Sequence, residues 1–225
     1  MKIGFLGLGN MGNPMARNLQ AAGFSLRIFD LNRSVAAELI AGGAGWAESS
    51  RDLAASADVV ITSLPGQPQV EAALLGEDGV LAGLEANAIL IDMSTNERQL
   101  VARIADLAAE RGAHVLDAPV TGAVDGARDG RLTIYVGGDD EVFARSEPVF
   151  IPLGRTIHMG ALGSGNVTKL ITNLLWFVNA VSIGEGLLLG KQAGIDLETL
   201  WDAIKSSVGN SFVVEHDVPS IFRGD

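Results

Sequence analysis

Short apolar runs alternate with segments of mixed polarity along the chain as far as about Gly163. Apolar runs bounded by Gly, Pro or Asp are typical of buried strands, and apolar residues spaced three to four apart are typical of helices. This pattern predicts strands at 2–6, 25–29, 58–63, 88–91, 114–117, 132–136 and 156–158, and helices at 10–22, 34–41, 97–111 and from 141 onward. The alternation favours an α/β fold with a mostly parallel, Rossmann-type doubly wound sheet.

The pattern changes after about Gly163, where strands stop. A long helix is predicted from about Ser164 to Ala193, and Asp196 is predicted to cap the next helix. We therefore expect a dinucleotide-binding domain at 1–162 and an all-α domain at 163–225. A helical domain of about sixty residues has little core of its own, which indicates that it is incomplete or completed by a partner.

The apolar stretch 170–189 is long enough to raise the question of a membrane span. It is interrupted by Asn173, Asn179, Ser182 and Glu185, so a helix buried between domains or subunits is the preferred interpretation and no membrane partner is expected. Because a lone subunit would expose much of this helix, we predict a homodimer or homotetramer.

The segment between the first strand and the first helix matches G-x-G-x-x-G, with the sequence Gly7-Leu8-Gly9-Asn10-Met11-Gly12. Such glycines allow a tight turn, close approach to a pyrophosphate and close helix packing. Asp30 ends the second strand, where a carboxylate accepts hydrogen bonds from ribose hydroxyls and repels a 2′-phosphate. NAD is therefore the predicted cofactor, and Arg33 leaves NADP open. The alternative is that the glycines serve only a tight turn.

Lys169 and Asn173 lie one turn apart on a single face of the predicted long helix. Burial and the nearby helix N-terminus can both lower the pKa of a lysine, which suits proton transfer. The alternatives are a lysine that keeps its ammonium group in water and an asparagine that serves only helix packing.

The amino-acid composition limits the kinds of partner and metal site that we expect. A net charge of -11 argues against nucleic acid and anionic membrane surfaces. The chain has no cysteine, which fits the cytoplasm, and its 3 histidines have no metal-ligand spacing, so no metal site is expected.

Four segments together resemble the β-hydroxyacid dehydrogenases, which include 3-hydroxyisobutyrate dehydrogenase and tartronate semialdehyde reductase. They are the N-terminal signature Phe5–Ala16, the cofactor-side loop Asp92–Thr95, the substrate motif Asp117–Ala123 and the catalytic motif Gly163–Asn173. The resemblance implies hydride transfer between NAD and a small 3-hydroxy acid.

The same resemblance implies roles for individual residues. Lys169 would be the catalytic general acid/base, and Asn173 would orient the substrate. The remaining implied positions bind the substrate carboxylate (Thr121, Gly122 and Ala123) or border the cofactor (Leu64, Pro65 and Thr95). For Thr121, the alternative is an ordinary turn hydroxyl.

Several positions depart from the family pattern. Thr121 and Ala123 replace the usual serine and glycine, Thr172 replaces the first asparagine of a pair, and Asn96 and Arg98 replace an apolar residue and a proline. The chemistry is kept, but the substrate is left open. Two other readings are an imine-reductase-like NADP enzyme, a group that typically lacks the lysine, and a non-catalytic dinucleotide-binding module.

Overall fold

The computed structural model describes residues 1–224, and within them nine strands form one sheet. The strands are β1 (Lys2–Leu6), β2 (Ser25–Phe29), β3 (Gly45–Trp46), β4 (Val59–Thr62), β5 (Ile89–Asp92), β6 (His114–Asp117), β7 (Val120–Thr121), β8 (Leu132–Gly137) and β9 (Gly154–Gly160).

Helices fill the connections. They are α1 (Gly12–Ala21), α2 (Ala37–Ala41), α3 (Ser50–Ala54), α4 (Gln67–Leu75), α5 (Val80–Gly83), α6 (Arg98–Ala109), α7 (Ala123–Arg128), α8 (Asp140–Phe150), α9 (Ser164–Gln192), α10 (Leu197–Lys205) and α11 (Val218–Arg223), with a 3₁₀ turn at Arg33–Ala36 and a π-helical segment at Val213–Asp217. The predicted cap of α10 is confirmed, because the Asp196 carboxylate accepts the N–H of Thr199 at 2.9 Å.

The sheet is doubly wound about β1. The strand order is β3-β2-β1-β4-β5-β6-β8-β7, with β9 paired to β8. Strands β1 to β6 are parallel to one another, while β8 runs antiparallel to both β6 and β7. Because the order reverses at β1, the connections on its two sides leave a crevice at the carboxyl ends of the strands, where such sheets bind ligands. The predicted fold class is confirmed.

The central strands are buried on both faces. Val59 and Ile61 of β4 belong to one apolar cluster, and Val60 belongs to the cluster on the opposite face. This alternation follows from the two-residue period of a strand. It explains why β4 reads as a continuous apolar run in the sequence.

The chain forms two compact units, Met1–Lys169 and the residues from Leu170 onward. The predicted division at residues 162 and 163 stays a prediction; it lies just before α9, whereas the contacts divide the chain one and a half turns inside that helix. The second unit has a small core of its own, made by Ile183, Leu187, Val213, Val214 and Val218.

Helix α9 is mostly exposed within this single chain, so its burial between domains or subunits stays a prediction. Leu174, Phe177, Val181 and Leu188 are all more than half exposed. The physical reason is that the small core of the second unit covers only a narrow face of the helix. By length and composition alone, α9 is also long and apolar enough to cross a membrane.

Candidate active site

The residues predicted to bind the cofactor follow the carboxyl ends of neighbouring parallel strands. The glycine loop follows β1, Asp30 follows β2, Leu64 and Pro65 follow β4, and Thr95 follows β5. A methyl group built on Gly7 would lie 3.0 Å from Cδ2 of Leu64, so the loops after β1 and β4 touch. The structure therefore places these positions along one edge of the sheet.

The glycine loop has the geometry that a pyrophosphate requires. Gly7 has φ +92°, and a side chain there would overlap the carbonyl oxygen of Ser63. A side chain at Gly12 would overlap the carbonyl oxygen of Gly7, whereas one at Gly9 would meet no atom of the described residues within 4 Å. Gly7 and Gly12 thus serve the protein's own packing, and Gly9 leaves open space for a ligand.

The N-terminus of helix α1, which follows this loop, keeps its partial positive charge. Within residues 1–224 no side chain caps the N-terminus of α1, and its first turn contains no acidic residue. The free N–H groups and the positive end of the helix dipole are therefore available to an anion. Exposed Asn10 and half-buried Met11 complete the loop. This donor set fits the phosphates of a dinucleotide.

Asp30 is tied to the backbone on both sides. Its Oδ2 accepts the N–H of Leu8 at 2.7 Å, and its Oδ1 accepts the N–H of Asn32 at 2.8 Å. Each carboxylate oxygen can accept a further hydrogen bond, so contact with a ribose hydroxyl remains compatible with this geometry. Nearby, the guanidinium carbon of Arg33 lies 5.1 Å from the ring centroid of Trp46.

The predicted substrate loop contains a non-glycine residue in the left-handed region. Thr121 ends β7 and is half-buried, Gly122 has φ +128°, and Ala123 has φ +53° as the first residue of α7. The first N–H groups of any helix lack intrahelical acceptors. The loop can therefore offer a hydroxyl and backbone donors to a carboxylate.

Lys169 lies in the second turn of α9 and is half-buried. Burial lowers the pKa of its ammonium group, because desolvation disfavours the charged form. Asn173 follows one turn later on the same helix. A lysine with a lowered pKa can exchange a proton with a bound oxygen nearer neutral pH than an exposed lysine.

A buried chain of polar side chains supports this end of α9. The chain consists of Asp92, Asn96, Asn166 and Asp117, which are between 0% and 3% exposed. Asp92 Oδ2 accepts from Asn96 Nδ2 at 2.6 Å, and Asn166 Oδ1 accepts the N–H of Asn96 at 2.7 Å. Asp117 Oδ2 accepts the N–H of Asn166 at 2.7 Å.

Burial also affects the two carboxyl groups of this polar chain. Desolvation raises the pKa of Asp92 and that of Asp117, against the hydrogen bonds that each one accepts. For Asp92 those bonds include the hydroxyl of Thr62 at 2.7 Å.

Sequence reasoning missed most of this polar chain. The sequence places Asp117 in the substrate motif and marks Asn96 only as a departure from the family pattern. The available signal was the recurrence of Asp and Asn at or just after strand ends and just before Lys169.

A concavity of about 630 Å³ lies at the opposite, amino-terminal edge of the sheet. Its lining includes Lys2, Asp58, Glu85 and Arg145 and none of the predicted site residues. Ligands of open α/β sheets bind at the carboxyl edge, so the loops described above are the better candidate site.

Two protein families match the chain, and together they cover residues 2–225. The family described as the NAD binding domain of 6-phosphogluconate dehydrogenase matches residues 2–163. The family described as NAD-binding of NADP-dependent 3-hydroxyisobutyrate dehydrogenase matches residues 163–225.

Individual proteins are similar over nearly the whole chain. The 2-(hydroxymethyl)glutarate dehydrogenase of Eubacterium barkeri is 40% identical over 100% of this chain and 75% of its own length. The 3-hydroxyisobutyrate dehydrogenase of Pseudomonas aeruginosa is 42% identical over 94% of this chain and 72% of its own length. The solved structure of Mycobacterium tuberculosis 3-hydroxyisobutyrate dehydrogenase with L-serine has a TM-score of 0.88 and 36% identity, over 96% of this chain and 73% of that one.

These similarities confirm the predicted fold, enzyme class and NAD(P) cofactor, while the roles of individual residues stay predictions. The chain belongs to the β-hydroxyacid dehydrogenase family and is an NAD(P)-dependent oxidoreductase of 3-hydroxy acids.

Proposed function

We propose that this protein uses NAD to oxidise small 3-hydroxy acids with a primary hydroxyl, and that Lys169 is the general acid/base. The observation that carries the proposal is the half-buried Lys169, with its pKa lowered by desolvation, at the start of a helix bonded to the sheet's carboxyl edge. Lys169 also argues against an imine reductase, a group that typically lacks this residue.

The substrate class follows from the chemistry that the relatives share. Both 3-hydroxyisobutyrate and 2-(hydroxymethyl)glutarate carry a CH₂OH group on the carbon beside a carboxylate, and so does L-serine. They differ in the substituent on that carbon. We therefore infer a 3-hydroxypropanoate core for the substrate and leave its 2-substituent open.

Lys169 handles the proton of the reaction. In the oxidation direction its neutral Nζ accepts the hydroxyl proton, and in reduction the ammonium form returns that proton to the carbonyl oxygen. Asn173 orients the reacting oxygen by a hydrogen bond from its amide. A bound nicotinamide supplies or accepts the hydride, so the protein's own task is positioning and proton transfer.

The substrate carboxylate binds at Thr121, Gly122 and Ala123. The Thr121 hydroxyl and the backbone N–H groups at the start of α7 supply neutral donors of the kind that carboxylates accept. In a 3-hydroxy acid the hydroxyl lies a fixed number of bonds from the carboxylate. Binding the carboxylate at this loop would therefore hold the hydroxyl at a set distance from the loop.

The glycine loop and Asp30 hold the cofactor, with Leu64, Pro65 and Thr95 at its border. The carboxylate of Asp30 favours NAD because it repels a 2′-phosphate, and Arg33 sets how strictly NADP is excluded. We further propose a cytoplasmic homodimer or homotetramer that acts on a small carboxylate and does not bind nucleic acid or membrane. Its net charge of -11 disfavours polyanionic partners.

The test is a steady-state assay of NAD and NADP with a panel of 3-hydroxy acids, comparing the parent with Lys169→Ala and Lys169→Arg. We expect NAD-dependent turnover, a loss in kcat of about 10²- to 10⁴-fold in both variants, and unchanged NAD binding by fluorescence titration. Arginine should not rescue oxidation because its guanidinium does not deprotonate.

The pH dependence has a defined sign. Oxidation needs neutral Lys169, so kcat/KM for oxidation should rise with pH through the pKa of Lys169, and kcat/KM for reduction should fall. Because burial lowers the pKa of Lys169, this change in kcat/KM should occur at a pH below the usual pKa range of lysine. Full activity in Lys169→Ala would refute the role of the lysine. Tight NAD binding without turnover on any 3-hydroxy acid would favour the non-catalytic module.

A further inference from the structure

We infer that Asn166 is a positioning residue that sets Lys169 relative to the cofactor-side loop, with Asp117 as its anchor on the sheet. This inference rests on the proposed role of Lys169. Asn166 lies three residues before Lys169 in α9, and Asn96 directly follows Thr95, which is predicted to border the cofactor. One side chain thus links the two halves of the proposed reaction site.

The anchor holds α9 by its first turn. Asp117 Oδ1 accepts the N–H of Gly163 at 2.7 Å, and Oδ2 accepts the N–H of Asn166 at 2.7 Å. Because a single carboxylate accepts two charge-assisted hydrogen bonds from this turn, it fixes both the distance of the turn from the sheet and its rotation about the helix axis. The carboxylate also lies where it complements the positive end of the helix dipole.

Two glycines make this close approach possible. A side chain at Gly165 would overlap the carbonyl oxygen of Tyr135, and one at Gly137 would overlap Oδ1 of Asp117. The first turn of α9 therefore lies close against the ends of β6 and β8, where the Asp117 carboxylate bonds it. Small shifts of the anchor are transmitted to the helix because no flexible layer separates the two.

Asn166 extends this anchor to the cofactor-side loop. The residue is 0% exposed; its Oδ1 accepts the N–H of Asn96 at 2.7 Å, and its Nδ2 lies 3.3 Å from Oδ2 of Asp117. The side chain of Asn96 continues the chain to Oδ2 of Asp92 at the end of β5. A single buried amide thereby sets the spacing between the loop of Thr95 and the helix of Lys169.

Loss of this amide should leave a specific defect. Asn166→Ala removes the acceptor for the buried N–H of Asn96, and a buried donor without a partner drives local rearrangement. The backbone N–H of residue 166 still binds Asp117, so α9 stays attached to the sheet while its spacing to the loop relaxes. A displacement of about 1 Å at a reacting group can cost on the order of 10²-fold in rate.

The experiment compares parent, Asn166→Ala, Asn166→Asp, Lys169→Ala and Ser146→Ala under the assay described above. For Asn166→Ala we expect kcat to fall about 10- to 100-fold while the Kd for NAD changes less than about threefold. Ser146→Ala is the matched control: its buried hydroxyl donates to the carbonyl of Val142 within α8 at 2.8 Å, outside the proposed site, so parent kcat is expected.

Asn166→Asp supplies a readout that general loss of structure would not produce. The new carboxyl group would face Asp117, with Asp92 next along the polar chain beyond Asn96. Two adjacent carboxyls share a proton at low pH, which restores the donor toward Asp117, and repel each other when both ionise. The ratio of variant to parent kcat should therefore fall as pH rises, whereas the ratio for Asn166→Ala stays low throughout.

The outcomes separate the two proposals. Turnover that survives in Lys169→Ala defeats the proposed function and this inference with it. If Lys169→Ala is inactive but both Asn166 variants keep parent kcat at every pH, only the inference is overturned. It is also overturned if Asn166→Ala loses NAD binding together with kcat and Asn166→Asp shows no dependence on pH, because the role is then structural.

Discussion

Ala123 shows how a single methyl group can act on both stability and substrate choice. Its φ of +53° lies in the left-handed region, where the family motif usually has glycine. An L-residue there costs about 1–2 kcal/mol because Cβ crowds the following carbonyl oxygen. Such strain tends to persist where function requires it, and this residue lies in the proposed carboxylate-binding loop.

Ala123→Gly should therefore relieve strain and widen the loop. We expect the free energy of unfolding to rise by about 0.5–1 kcal/mol, since glycine's entropy cost offsets part of the gain. The kcat/KM for 3-hydroxy acids with bulkier 2-substituents should rise relative to the smallest substrate. Urea unfolding and the substrate panel measure both effects. Ala127→Gly, in the same helix at negative φ, is the control and should destabilise; equal effects at both positions would contradict this account.

Much of the proposed site could be predicted at the level of single residues. A motif with fixed spacing predicts Gly7, Gly9 and Gly12. The spacing of four residues, about one helical turn, predicts that Lys169 and Asn173 share a helix face. The partnership of Asn166 with Asn96 could not be predicted, because its hydrogen bond joins residues 70 positions apart. Only the fold brings such pairs together, and no local pattern encodes them.

Among the secondary-structure elements, the strands with continuous apolar runs were predictable because burial on both faces leaves a clear signal. Strand β2, for example, was predicted at its observed bounds, Ser25–Phe29. The strands β3 and β7 and the helices α3, α4, α5 and α7 were missed. All of these except α4 are six residues or shorter and show little periodicity, and the nine residues of α4 do not form a distinct apolar face. These pieces depend on tertiary contacts rather than on their own sequence.

The buried carboxyl group of Asp92, at the end of β5, leads to a prediction about stability. Burial raises the pKa of Asp92 above its unfolded value, so its contribution to stability is present at low pH and is lost as pH rises through the folded pKa. Asn does not titrate. The free energy of unfolding of Asp92→Asn, relative to the parent, should therefore increase with pH, by about 1.4 kcal/mol for each unit by which the pKa is raised.

Urea titrations of Asp92→Asn and the parent across the acidic to neutral range measure this difference. Asp106→Asn, on the exposed face of α6, controls for the general effect of removing one negative charge. A difference that shrinks as pH rises would contradict the assigned direction of the pKa shift.

For the whole molecule, the exposed apolar face of α9 predicts self-association. Phe177, Val181 and Leu188 are 57%, 61% and 62% exposed in the single chain, more apolar surface than one soluble subunit usually leaves open. Light scattering at micromolar concentration should therefore give a mass of at least two subunits.

A charge placed on this face should weaken the association. Val181→Glu would bury a carboxylate in the proposed interface and should raise the dissociation constant at least about tenfold, or 1.4 kcal/mol. Ile151→Glu is the matched control, since Ile151 is 72% exposed but lies outside α9. A monomeric parent, or equal weakening by both variants, would contradict the proposed assembly.

The double attachment of Asp30 has a consequence for engineering coenzyme preference. Replacing this carboxylate to admit a phosphorylated coenzyme would also release the N–H groups of Leu8 and Asn32 that it holds. Part of any lost activity would then come from a loosened phosphate loop rather than from the changed preference. A redesign that keeps an acceptor at position 30 and recruits Arg33 from the ring of Trp46 would separate the two effects.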